Sequence, residues 1–188
     1  MRSMRSALRV LVAAAVATAL IPAAPASAGI WQLTEGFESP PAPRLRWTNS
    51  DPNVCGVPSW GGWALNPRTG SGLASIAALD PGEWCWIART IQLTPVTAHP
   101  GARCGLGVWA TVTGRNTALN VEVIDPDTWT YIAFAALTPD GTRNYRQVSA
   151  GWTARRTDVV VRFSIVNPAG SGSVATSDLD DLVVQCAY

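Results

Sequence analysis

Trp109, Asn120, Glu122 and Arg162 are the residues whose types could do the most definite chemistry. An indole is a flat apolar platform. A carboxylate, an amide and a guanidinium beside it supply paired hydrogen-bond donors and acceptors. Together they suit a polyhydroxylated ring with a face of C–H groups and an edge of hydroxyls, so the chemistry is that of sugar recognition. Trp129 and Tyr131 extend the set from an adjacent hairpin. A structural alternative stands beside it. A strand-face tryptophan often packs under a loop, here the segment 47–63, and Glu122 and Arg162 then form a salt bridge across the sheet.

Other chemistry is sparse. The single histidine, His99, lies in the turn "AHPGA" and reads as a solvated turn residue. There is no GxSxG, HExxH or P-loop. A glycosidase needs only two suitably separated carboxylates, but no pair among the 13 acidic residues stands out by spacing. No residue is assigned a catalytic role. Cys55, Cys85, Cys104 and Cys186 are even in number and lack CxxC spacing. In an exported chain they read as two disulfides, with three pairings possible, and not as thiolate nucleophiles or metal ligands.

The elements that must hold these residues are strands. Short β-branched and aromatic stretches alternate with turn signals such as "DPG", "HPG", "TGRN", "DPDT" and "PDG". The predicted strands include "WQLTEGFE", "GLASIAAL", "CWIARTIQL", "GLGVWATVT", "ALNVEVI", "TYIAFAAL", "YRQVSAGW", "DVVVRFSIV" and "DLDDLVVQC". Eight or nine strands in one domain mean an all-β antiparallel sandwich or barrel. Alternation assigns their faces. Leu106, Val108, Ala110 and Val112 point inward and Trp109 outward. Leu119, Val121 and Val123 point inward, Asn120 and Glu122 outward. Val161, Phe163 and Ile165 point inward, Arg162 and Ser164 outward. The outward polar and aromatic set is expected on neighbouring strands. Trp84, Trp86 and Trp152 read as core or edge packing. Residues 40–70 read as one long loop carrying Trp47, Trp60 and Trp63, the last two forming either an aromatic lip over a cleft or a plug at the sandwich end.

The chain is 188 residues long, and its first 28 read as a secretory signal peptide. Arg2, Arg5 and Arg9 precede the apolar run Val10 to Ile21, and "ASA" ends at Ala28. The domain is then residues 29–188, secreted and extracellular, with no further run of membrane-spanning length. There is no lysine; 11 arginines remain against 13 acids, so nothing basic is present to hold nucleic acid. The absence of lysine and the alanine-rich leader point to a high-GC bacterial source.

The order of motifs resembles the galactose-binding-like jelly rolls, a superfamily that includes carbohydrate-binding modules. "EGFES" followed by Trp47 is similar to the opening strand, and "GSGLASI", "VVVRFSI" and "LDDLVV" to the second, penultimate and last strands. The resemblance implies a jelly-roll sandwich whose last strand lies between the first strand and "WIARTIQL". It implies the disulfides Cys85–Cys186 and Cys55–Cys104. It also implies a structural calcium where the last strand begins and the first ends, with Glu38, Asp180 and Asp181 as ligands, since calcium takes several hard oxygens. Asp180 is in phase with Leu182 and Val184, which aims it inward at the rim.

The reading is therefore a secreted, monomeric, non-catalytic, lectin-like module that binds a polysaccharide or cell-surface glycan. An extracellular structural or protein-interaction module and a small secreted hydrolase are the alternatives.

Overall fold

Alternation in the sequence becomes alternation in burial along nearly every strand. The structure, a computed structural model, describes residues 29–38, 47–50, 55–60, 67–97, 99 and 101–188. The segment read as a signal peptide lies outside them, as do Trp63 and the side chain of Trp60. The strands are β1 (Ile30–Glu35), β2 (Thr48–Asn49), β3 (Gly56–Trp60), β4 (Ala74–Ala78), β5 (Trp84–Gln92), β6 (Arg103–Thr113), β7 (Leu119–Ile124), β8 (Tyr131–Leu137), β9 (Arg146–Thr153), β10 (Asp158–Val166) and β11 (Ala175–Ala187). One helical turn, Thr94–Thr97, follows β5. No helix among the described residues is long and apolar enough to cross a membrane.

Two antiparallel sheets face each other. One runs β3-β4-β11-β6-β9, with β1 also paired to β11. The other runs β2-β5-β10-β7-β8. The strand β11 is long enough to take β4 along its first half and β1 along its second, while β6 lines its other side. This corrects the expected topology, because β5 does not pair with β11. It pairs with β10 and β2 in the opposite sheet. The segment expected as one long loop contributes β2 and β3. Both are short edge strands, and Pro58 in β3 has no N–H to give to a ladder, which only an edge tolerates.

The core is the set of inward positions. Leu106, Val108, Ala110 and Val112 of β6 are buried, as are Leu119, Val121 and Val123 of β7 and Val161, Phe163 and Ile165 of β10. Trp47 joins them, packed between Phe37 and Phe163 with ring centroids 5.9 and 5.7 Å away. Each such side chain contributes about 1.5–3 kcal/mol when fully buried, so the shared interior of the two sheets is the main source of stability.

Two disulfides form, with pairings other than those implied. Cys104 is bonded to Cys186, and Cys55 to Cys85. Cys104 and Cys186 are register partners on adjacent strands of one sheet. Cys55, just before β3, reaches across to β5 in the other sheet. The pairing follows strand neighbours: β11 lies against β6, so Cys186 meets Cys104 and not Cys85.

Candidate functional site

Two neighbouring strands of the second sheet, β7 and β10, bring Asn120, Glu122, Ser164 and Arg162 together on their outward face. Arg162 faces Glu122 across the β10–β7 ladder, and Ser164 faces Asn120. The Arg162 Nε donates to Glu122 Oε2. Ser164 Oγ donates to Glu122 Oε1 at 3.1 Å, and Asn120 Nδ2 donates to Ser164 Oγ at 3.3 Å. Glu122 is only 2% exposed and Arg162 9%, although both lie on the outward face. Burial of the pair is tolerated because each charge has its partner.

Aromatic side chains stand on both sides of this polar ridge. Trp84 and Trp86 rise from β5, whose register sets Trp86 opposite Ser164. The Arg162 guanidinium lies over the Trp84 ring, 4.7 Å from its centroid. Phe134 is paired with Glu122 on the far side, and its ring lies 5.9 Å from that of Tyr131. Trp84, Trp129, Tyr131 and Phe134 are all exposed. A groove of about 240 Å³ opens on this face, with Trp86, Pro126, Trp129 and Arg162 in its walls. Trp86 packs on Ala88, Ile124 and Val160, as expected, and also lines the groove, whereas Trp84 is exposed rather than packed. The signal for them was present: Cys85 and Ile87 point inward, so Trp84 and Trp86 must point outward.

Trp129 is held unusually. Its φ is 55°, in the left-handed region that bulky residues avoid. The turn 125–130 imposes this. Trp129 N donates to Asp125 O at 2.9 Å, and Asp125 Oδ1 accepts from Asp127 N and Thr128 N. Asp125 Oδ2 takes the Arg156 guanidinium at 3.1 Å. Burial opposes ionisation of Asp125, but these N–H donors and Arg156 outweigh it and hold the carboxyl below its ordinary value.

Trp109 is not part of this groove. It lies outward on β6, in the other sheet, opposite Asp180. Strands β6 and β7 follow each other in sequence but belong to different sheets, so Trp109 cannot share a face with Glu122 and Arg162. The Arg68 guanidinium covers the Trp109 ring at 3.9 Å. The structural alternative therefore describes Trp109 in part: a loop residue covers the ring, and among the described residues that cover is Arg68. Its salt bridge between Glu122 and Arg162 also forms.

The carboxylates expected to hold calcium meet one loop, residues 68–72. Asp180 Oδ2 accepts from Arg68 N at 2.8 Å and Thr69 N at 3.0 Å; its Oδ1 accepts from Asp181 N. Glu38 Oε2 accepts from Ser71 N at 2.8 Å, Gly72 N at 3.1 Å and Ser71 Oγ at 3.2 Å. Asp181 pairs with Arg68 and Thr69 Oγ1. Glycine is required in this clasp: a Cβ on Gly70 would lie 1.9 Å from Glu38 Oε1, and one on Gly72 2.2 Å from Phe37 O. In this arrangement Glu38 Oε2 and the Asp180 and Asp181 oxygens already accept hydrogen bonds from the loop, which compete with a cation for them. No cluster of three or more potential metal ligands forms among the described residues. Asp180 is buried, but not by pointing into the core. A bulge between Asp180 and Val183 reverses the strand's phase, with Asp181 at φ 48°. Asp180 thus faces outward beneath the loop. Burial raises its pKa despite the N–H donors of Thr69, Asp181 and Arg68.

Comparison with known proteins places the fold. No protein-family model and no curated protein matches the sequence. Among solved structures, the chain is similar to the module TmCBM61 in complex with β-1,4-galactotriose, with a TM-score of 0.55, 14% identity, and coverage of 79% of this chain and 92% of that one. It is similar to the K2 cleaved adhesin domain of Lys-gingipain, with a TM-score of 0.53, 17% identity, and coverage of 82% and 99%. It is also similar to the CBM22-1 xylan-binding domain from Paenibacillus barcinonensis Xyn10C, with a TM-score of 0.50, 14% identity, and coverage of 82% and 92%. At such identities the likeness establishes the jelly-roll sandwich.

Proposed function

We propose that this is a secreted, monomeric, non-catalytic module that binds an extracellular or cell-surface glycan in the groove of the second sheet. One observation carries the reading: a hydrogen-bonded Glu122–Arg162–Ser164–Asn120 ridge lies between Trp84 and Trp86 on one side and Phe134, Tyr131 and Trp129 on the other. Apolar platforms beside fixed polar groups are what a sugar ring requires. The strained, exposed Trp129 supports it, since backbone strain in bulky residues persists where a site needs it. Glu122, the buried carboxylate beside the groove residue Arg162, is tied to that guanidinium, which supports recognition over hydrolysis. The solved relatives named above include a galactotriose-bound module and a xylan-binding domain, and they support the same ligand class. The test is co-sedimentation with insoluble polysaccharides and a glycan array, comparing wild type with Trp86→Ala and Trp129→Ala. Binding by the wild type that both variants lose is expected. Equal binding by all three proteins removes the groove as the site.

A second reading has its own observation. Trp129, Tyr131 and Phe134 form an exposed aromatic patch along the edge strand β8, which suits a protein partner. Absence of binding to every glycan would favour it.

A further inference from the structure

We propose that the end of the sandwich carries a second ligand site, a cavity of about 390 Å³ between the two sheets that takes one neutral glycosyl residue. It borrows from the reading above only the ligand class; its residues and its opening are separate. Leu93, Ile132 and Val159 from the second sheet and its flanks form an apolar wall. Trp152, on β9 of the first sheet, stands against them. Arg155 and Arg156 from the β9–β10 turn and Asp125 complete the rim. The volume falls at the lower end of the range for small-ligand pockets.

The polar groups of this cavity say what would fill it. The indole N–H of Trp152, a residue 8% exposed, is buried and donates to nothing. The Nε–H of Arg156 is likewise buried without an acceptor. An unmade buried donor costs about 1–3 kcal/mol, and such groups in a well-paired fold call for an explanation. Thr153 also lines the cavity, but its hydroxyl bonds to neither donor. Asp125 already receives Asp127 N, Thr128 N and Arg156. A ligand here must therefore bring oxygen acceptors. It need not bring charge, because Asp125, Asp127 and Asp158 already surround Arg156 and leave no net positive field for an anion. A ring with an apolar face toward Leu93, Ile132 and Val159 and hydroxyl oxygens toward the two donors meets both demands. Small side-chain adjustments on binding open the way to the buried N–H groups.

The turn 125–130 separates the two sites. Asp125 lines the end cavity, while Pro126 and Trp129 line the groove. A chain lying in the groove and a terminal or branching residue seated at the sandwich end could then be held by one module.

The experiment follows indole N–H signals by two-dimensional NMR while methyl glycosides of glucose, galactose, mannose and xylose are added separately. Trp152→Phe keeps an aromatic ring, removes the N–H and identifies its signal. At least one glycoside is expected to move the Trp152 signal in a saturable way. Trp129→Ala should leave that response intact, and Ile132→Phe, which fills the cavity, should abolish it with an unchanged melting temperature. Calorimetry should show roughly tenfold weaker glycoside binding by Trp152→Phe, the effect of one lost hydrogen bond. A Trp152 signal unmoved by every glycoside, while polysaccharide binding through the groove persists, overturns the end site and leaves the groove intact. A response that Trp129→Ala abolishes overturns it too, since the cavity is then only part of the groove. If the groove also binds no glycan, both readings fall.

Discussion

Cys104 on β6 and Cys186 on β11 face each other directly across an antiparallel ladder, with Cα atoms 4.0 Å apart and a disulfide between their side chains. This bond closes 82 residues of sequence, whereas Cys55–Cys85 closes 30. The longer loop restricts the unfolded chain more. Removing Cys104–Cys186 by paired alanine substitution should therefore cost about 4–5 kcal/mol, against about 3–4 kcal/mol for Cys55–Cys85. Denaturant unfolding of the two double variants measures the order. Proteolysis under non-reducing conditions should release both linked peptides, and a Cys85–Cys186 peptide would contradict the topology.

Arg162 and Glu122 make a second prediction. Replacing Arg162 by Met leaves Glu122, 2% exposed, without its counter-ion. The expected loss is about 3–5 kcal/mol, the scale for stranding one partner of a buried pair. Adding Glu122→Gln should recover much of it, because the stranded charge is then gone. Urea unfolding of the single and double variants decides. Full additivity of the two changes would show that the pair is not coupled.

Trp129 permits a test in which stability and binding separate. At φ 55° the residue pays for a backbone conformation that glycine adopts freely. Trp129→Gly should be about 1 kcal/mol more stable than Trp129→Ala, which keeps the strain. Both should lose glycan binding, because both lose the indole at the groove rim. A Gly variant that is no more stable than the Ala variant would mean that the turn stores no strain. Such an opposition of fold and function is what a strained binding residue implies.

The sequence carried the faces of the strands better than their partners. Alternation places Leu106, Val121 and Phe163 inside, and all three are fully buried or nearly so. The same rule placed Asn120, Glu122 and Arg162 outward, and they do meet. Alternation does not say which sheet a strand joins. Trp109 therefore appeared to share a face with Glu122, though β6 and β7 lie in opposite sheets. Disulfide pairing is equally non-local, and the same missing information misassigned Cys186. Asp180 failed for a different reason. The bulge after it shifts the phase by one residue, and only the adjacent pair of aspartates, a residue type that tolerates positive φ, hinted at a break.

The clasp of loop 68–72 bears on metal removal. Glu38 and Asp180 are already satisfied by Arg68, Thr69, Ser71 and Gly72. The melting temperature should therefore be the same with EDTA as with added calcium. A rise of several degrees with calcium would mean that the loop rearranges to free those oxygens. Gly70→Ala should be strongly destabilising in either buffer, since its Cβ would strike the Glu38 carboxylate and its φ of 58° disfavours a side chain.

Asp125 sets the response to acid. Burial pushes its pKa upward, but Asp127 N, Thr128 N and Arg156 outweigh this, so its folded value lies below the 3.8 of an ordinary aspartate. A depressed folded pKa adds stability that is complete above the unfolded value and is lost as pH falls through the folded one. The turn that presents Trp129 should thus hold at neutral pH and loosen only below about pH 4. Glycan affinity should fall over the same interval, ahead of global unfolding, because Trp129 N is tied to Asp125 O in that turn. Asp125→Asn keeps an oxygen acceptor but no charge. It should bind more weakly at neutral pH and show a flatter acid limb. Affinity measured from pH 6 to pH 3 for both proteins checks this, and parallel acid limbs would remove Asp125 as the controlling group.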